Sequence, residues 1–300
     1  MPRPFNQQQI QADLAVRRAA HQAAIAAARQ NGIFGQPASP LVLLAAGDSW
    51  FDYPLGGAVP LVDRTDIIAQ LPSLCVQAPR ILKLAHYGDT LDLAHYSDAN
   101  ALKAGREGVQ LISDAIDNPA NGEFDAILFS SGGNDIVGDP FCIWLNDADE
   151  VGNDPARALH PARFEVALQL AQAAYLDLIR LRNDKLPHAP IFVHGYDFAI
   201  PSGVPACLAV GPWLKPALDF LGWTNPAAAR MIVHDALSQL GKILAQLAAD
   251  PGNNLIYVPT QGTLASSDWA NELHPQPQGF IKLAAKFHRA LARQFPGGRI

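Results

Sequence analysis

Ser49 is the residue of this chain best placed to act as a nucleophile. It lies in residues 41–54, LVLLAAGDSWFDYP, where six apolar residues end abruptly in Gly47, Asp48 and Ser49. An apolar run too short for a solitary helix and closed at once by glycine reads as a strand buried on both faces. Ser49 then sits at the C-terminal end of a strand, the edge at which open α/β sheets bind ligands, with Gly47 freeing the backbone beside it. A turn serine capping a helix would use the same three residues. The rest of the chain decides between the two readings.

Acyl transfer needs a nucleophile, a base to take its proton and hydrogen-bond donors aimed at the developing oxyanion. Two further strand ends offer donors: the N–H of Gly88 in Tyr87-Gly88-Asp89, and the carboxamide of Asn134 in Ser131-Gly132-Gly133-Asn134-Asp135, beside the N–H of Ser49 itself. Nine histidines are available as base. His86 and His194 fall inside apolar runs, where a core histidine with satisfied nitrogens is the simpler reading. His274 stands in the polar stretch DWANELHP, residues 268–275, between the last strand and the last helix, where a side chain is free to enter the crevice.

These groups meet only if the elements carrying them converge. Residues 7–30 are Ala-rich with interspersed arginines and stop at Asn31-Gly32, which predicts a helix laid on the outside of the domain. Apolar runs at 41–46, 80–86, 124–130, 190–195 and 254–259 predict five strands. Helical periodicity separates them at 61–71, 100–116, 164–178 and 226–247, and a last helix starts near Gln278. Asn225-Pro226 is an N-cap and first-turn pair. The expectation is an α/β fold, a three-layer α/β/α sandwich around a five-stranded parallel sheet of flavodoxin-like order 2-1-3-4-5, in one domain spanning 37–300 after a helical extension at 1–36. Two insertions, at about 137–162 and 200–224, carry Phe141, Ile143, Trp144, Trp213, Phe220 and Trp223. They are expected to line an apolar acyl or alcohol pocket, although any one of these side chains would equally serve to pack an insertion on the core.

Composition narrows the classes. The 300 residues are 49% hydrophobic and 17% charged, with a formal net charge of -6 and no Lys/Arg cluster, which argues against a nucleic-acid surface or polybasic membrane patch. Cys75, Cys142 and Cys207 are widely spaced and suggest neither a disulfide framework nor a zinc site. No apolar run reaches the ~18 residues that span a bilayer, and the first thirty residues lack the apolar core of a secretory signal. The expectation is a cytoplasmic protein acting on a small neutral molecule.

Gly47-Asp48-Ser49-Trp50, Gly88 in YGDTL, Gly132-Gly133-Asn134-Asp135, and Leu273-His274-Pro275 with Gly279 and Phe280 together resemble the motif blocks of the GDSL-type, or SGNH, hydrolase family, in order and after strands one, two, three and five. Trp50 stands where the name-giving leucine would be. The resemblance implies an esterase- or lipase-like enzyme that needs no cofactor and acts on a small-molecule ester, with Ser49 as nucleophile, His274 as base, and Ser49 N–H, Gly88 N–H and Asn134 as oxyanion hole. The family's aspartate, three residues before the histidine, is replaced by Asn271. An amide oxygen can hold the imidazole tautomer but stabilises imidazolium less. Asp268 and then Glu272 are the alternative partners.

Two other classes compete. A metal-dependent phosphoesterase would draw on Asp48, Asp89, Asp135 and Asp197 with His86 and His194, but no histidine lies two residues after the first strand's aspartate and no His-x-His follows the last strand. A non-catalytic binding protein of the same fold would have little use for a complete Ser, Gly, Asn and His set.

Overall fold

A computed structural model describes residues 7–32, 39–53, 66–87, 99–138, 140–206 and 210–300. Gly88, Asp89 and Cys207, and the predicted helical residues 61–65, lie outside them. The sheet is built from β1 (Val42–Gly47), β2 (Arg80–Lys83), β3 (Ala126–Ser130), β4 (Ile191–His194) and β5 (Leu255–Val258), all parallel, in the order β2-β1-β3-β4-β5. All but the edge strand β2, which begins and ends in Arg80 and Lys83, are predominantly apolar, and β4 is buried at every position because helices cover both faces.

The helices follow the expected alternation: α1 (Gln7–Gln30), α2 (Ile67–Gln70), α3 (Ala99–Asp117), α4 (Gly133–Ile136), α5 (Phe141–Trp144), α6 (Pro161–Lys185), α7 (Lys215–Phe220), α8 (Pro226–Ala249) and α9 (Pro277–Gln294). The crossover helices α3, α6 and α8 pack side by side on one face, and α2 packs on α9 on the other. Asn225 caps α8 as predicted, its Oδ1 accepting from Ala227 and Ala228 N–H. α1 packs on edge strand β2, and its Ile10, Leu14 and Ile25 join the single core cluster.

Two predicted elements break off for identifiable reasons. β2 stops at Lys83 because Leu84 and Ala85 N–H both turn to Ala45 O while His86 N–H bonds Gly47 O, so the ladder spacing is lost. α2 passes after Gln70 into a 3₁₀ turn, Leu71–Leu74, at Pro72, which has no N–H to continue an α-helical ladder.

Candidate active site

β1 ends at Gly47, with φ of 129° and so close to β3 that a Cβ there would stand 1.9 Å from Ser130 O. Only glycine fits. The chain then turns tightly: Asp48 N–H donates to Ser130 O at 2.8 Å, and Asp48 O accepts from Phe51 and Asp52 N–H. Ser49 is held on this turn, and its own N–H makes no hydrogen bond among the described residues.

Ser49 Oγ lies 2.7 Å from His274 Nε2, and His274 Nδ1 lies 3.1 Å from Asn271 Oδ1. Asn271 Oδ1 also accepts the N–H groups of Leu273 and His274, at 3.0 and 2.9 Å. Two backbone donors converging on one amide atom require that atom to be oxygen. The imidazole proton therefore sits on Nδ1, and Nε2 is the acceptor for the Ser49 hydroxyl. Tyr53 closes the arrangement from the first loop. Its ring stacks on His274 at 4.2 Å and 20°, and its Oη accepts from Asn271 Nδ2 at 2.8 Å. Burial pushes the His274 imidazole down from 6.5 to about 3, and a neutral amide beside it supplies no charge to offset that.

The alternative partners of His274 are committed elsewhere. Asp268 pairs with Lys282 at 2.7 Å and accepts from Ala265 N–H. Glu272 is fully buried and accepts four backbone N–H groups, from Gly203, Trp213, Leu214 and Lys215, which fastens the second insertion to the histidine loop.

Asp48 is buried beside Ser49 yet does not touch His274. Its carboxylate accepts from Trp50 N–H, Ser130 Oγ and Tyr196 Oη, and burial, partly opposed by those donors, raises its pKa from 3.8 to about 6. His194 is the far end of this chain. Its Nδ1 accepts Tyr196 N–H at 3.1 Å, so Nε2 carries the proton and donates to Ser130 Oγ at 2.9 Å. Burial holds it neutral, with its pKa lowered to about 3, between the rings of Phe51, Trp50 and Phe287. It is a satisfied core histidine. His86 lies at the end of the β2 segment with Nδ1 on Tyr87 O.

Asn134, on the first turn of α4, lines one small crevice with Ser49, Tyr196, Leu273 and His274, about 20 Å³ in volume. Gly88, the remaining oxyanion donor expected, lies outside the described residues. Asp197 spends both oxygens on the N–H groups of Phe198, Gly262, Thr263 and Leu264, the geometry of a loop staple. Among the described residues no three His, Cys, Asp or Glu side chains converge as metal ligands.

The expected aromatic lining is corrected by the structure. Trp213 alone of the six reaches the histidine, edge-on at 5.6 Å and 71°. Trp223 is buried with Nε1 on Asn146 O, Trp144 Nε1 bonds Asp135 O, and Phe141 is in the core, while Phe220 and Ile143 are exposed. The insertions are held by their own aromatic residues because short irregular segments have few other apolar anchors. Tyr53 and Tyr196, which sequence reasoning passed over, contact the site instead. Trp50 links both halves of it, donating from Nε1 to Leu273 O at 3.1 Å.

No family model matches the sequence, and no curated protein matches it. Solved structures similar to the chain include a lipase from a goat rumen metagenome (16% identity, 83% of this chain and 97% of that one, TM-score 0.48). A carbohydrate acetylesterase from Sinorhizobium meliloti is similar over 84% of this chain and 98% of its own (15% identity, TM-score 0.48). So is an extracellular lipase from Streptomyces rimosus, over the same shares (17% identity, TM-score 0.47).

Proposed function

We propose that this protein is a serine hydrolase of carboxylic esters, of the GDSL, or SGNH, type, working through an acyl-enzyme. The observation that carries the reading is the hydrogen-bonded series Ser49 Oγ–His274 Nε2, at 2.7 Å, and His274 Nδ1–Asn271 Oδ1, at 3.1 Å, a nucleophile, base and orienting acceptor in sequence. Ser49 Oγ attacks the ester carbonyl as His274 takes its proton. The oxyanion forms against Ser49 N–H and the Asn134 carboxamide, and His274 returns the proton to the departing alcohol. Water, deprotonated by the same imidazole, then releases the acid. Asn271 keeps the proton on Nδ1 throughout and Tyr53 keeps the ring in plane. Leu273 lines the crevice beside His274 and Trp213 meets the imidazole edge-on, apolar surface available to an acyl or alcohol group.

Purified protein should hydrolyse short p-nitrophenyl esters, and Ser49→Ala should lower kcat on the order of 10⁴-fold or more with the fold intact. Wild-type-like turnover by that variant would end the reading.

A further inference from the structure

Tyr196 lies in the loop after β4, outside every motif discussed so far, yet its side chain meets both halves of the site. Its Oη donates to the carboxylate of Asp48, the residue before Ser49. Its ring meets Trp50, the residue after Ser49, edge-on at 5.1 Å and 84°. The same ring lies directly against Gly133, the residue before Asn134: a Cβ on Gly133 would stand 2.7 Å from Tyr196 Cζ. One side chain thus spans from the nucleophile turn to the turn carrying the oxyanion donor.

The backbone is arranged to keep it there. Tyr196 has φ of 60°, a left-handed conformation that a bulky L-residue rarely adopts, and it is held by Thr260 Oγ1, which donates to Tyr196 O at 2.6 Å, and by its own N–H on His194 Nδ1. Strain of this kind persists where surrounding structure over-determines it, and a residue chosen only to fill space would not need it. Nor would packing alone call for a phenol: burial and the Asp48 charge keep the hydroxyl protonated, so it is a fixed donor to the carboxylate.

We propose that Tyr196 is a positioning residue of the ester-hydrolysis site, setting the spacing between Ser49 and Asn134 by tying Asp48 and Gly133 to one rigid ring. The inference rests on the ester-hydrolase reading above. The oxyanion forms between Ser49 N–H and the Asn134 amide, and donors of that kind act only at hydrogen-bond distance from the transition-state oxygen. A small widening between the two turns therefore costs turnover while leaving ground-state binding nearly unchanged.

The test uses the full chain and p-nitrophenyl acetate, with Ser49→Ala as reference. Tyr196→Phe keeps the ring and removes the hydroxyl; Thr260→Val removes the bond holding the Tyr196 carbonyl and touches no part of the crevice. Both should lower kcat, Tyr196→Phe by about 10-fold or more, with KM within about twofold and the rate of Ser49 phosphonylation by a fluorophosphonate falling in parallel. The double variant should lose less than the product of the two, since both act through one side chain. Melting temperatures separate the roles: a lowered Tm with unchanged kcat in both variants would make Tyr196 a packing residue and overturn the proposal, as would a change confined to KM. If Tyr196→Phe does not fold, Thr260→Val decides on the same criteria. Failure of the underlying reading shows differently, as no hydrolysis by the wild type or full activity in Ser49→Ala.

Discussion

Replacing Asn271 with aspartate should move the acid limb of the kcat/KM profile to higher pH. His274 acts as a base only when unprotonated, so activity is lost as pH falls through its pKa, which burial holds near 3 rather than 6.5. On the ester-hydrolase reading the wild-type protein should therefore keep its activity well into acid. In Asn271→Asp a negative charge would face the Nδ1–H from 3.1 Å. Two unit charges about 4 Å apart at an effective dielectric constant of about 20 attract by ~4 kcal/mol, or about 3 pH units. Burying the new carboxylate offsets part of this, since Asn271 is only 4% exposed, but Leu273 N–H and His274 N–H already point at it. Together these give a rise of roughly 2 pH units. The measurement is kcat/KM on p-nitrophenyl acetate from about pH 2 to about pH 8 at constant ionic strength, for both proteins, a range that brackets the wild-type limb near 3. Asp48 also titrates, near 6, but makes no contact with His274, so the displacement on substitution identifies the group. An acid limb that stays in place, or moves to lower pH, would refute the pairing of His274 with Asn271.

Asn134→Ala should lower kcat by roughly 10²- to 10³-fold with little change in KM, as removal of an oxyanion donor does; an effect on KM alone would make Asn134 a substrate contact. Asn271→Ala should cost far more activity than Asp268→Ala, because Asp268 is spent on Lys282 and Ala265; the reverse ranking in steady-state assays would relocate the orienting group. Trp213→Ala should change the preferred ester length across an acyl series through its contact with His274. Trp223→Ala, buried with its N–H satisfied, should instead lower stability by about 3–5 kcal/mol in denaturant titration.

The sheet was legible from the sequence because a buried parallel strand writes itself as a short apolar run, and five of them, alternating with helical periodicity, leave few topologies. The helix α1 and the cap at Asn225 follow from patterns local to a few residues, while the order β2-β1-β3-β4-β5 follows from the alternation of elements along the whole chain. Ser49 and Asn134 were legible for a related reason, since residues next to strand ends need only the sheet's order to be brought to one edge, whereas His274 and Asn271, well beyond β5, stood out through the motif resemblance. What the sequence could not decide is which neighbours each side chain meets there. Glu272 and Asn271 are adjacent and both offer side-chain oxygen acceptors, yet one fastens an insertion and the other holds the imidazole, a matter of side-chain direction in an irregular loop. Trp213 and Trp223 occur in one insertion and differ only in where that segment folds back. Tyr53 and Tyr196 carry no local signal at all, because stacking on His274 and donating to Asp48 are contacts across 221 and 148 residues of chain (274 − 53 and 196 − 48). Local pattern sets the elements and their edge; long-range packing decides which groups on that edge act together.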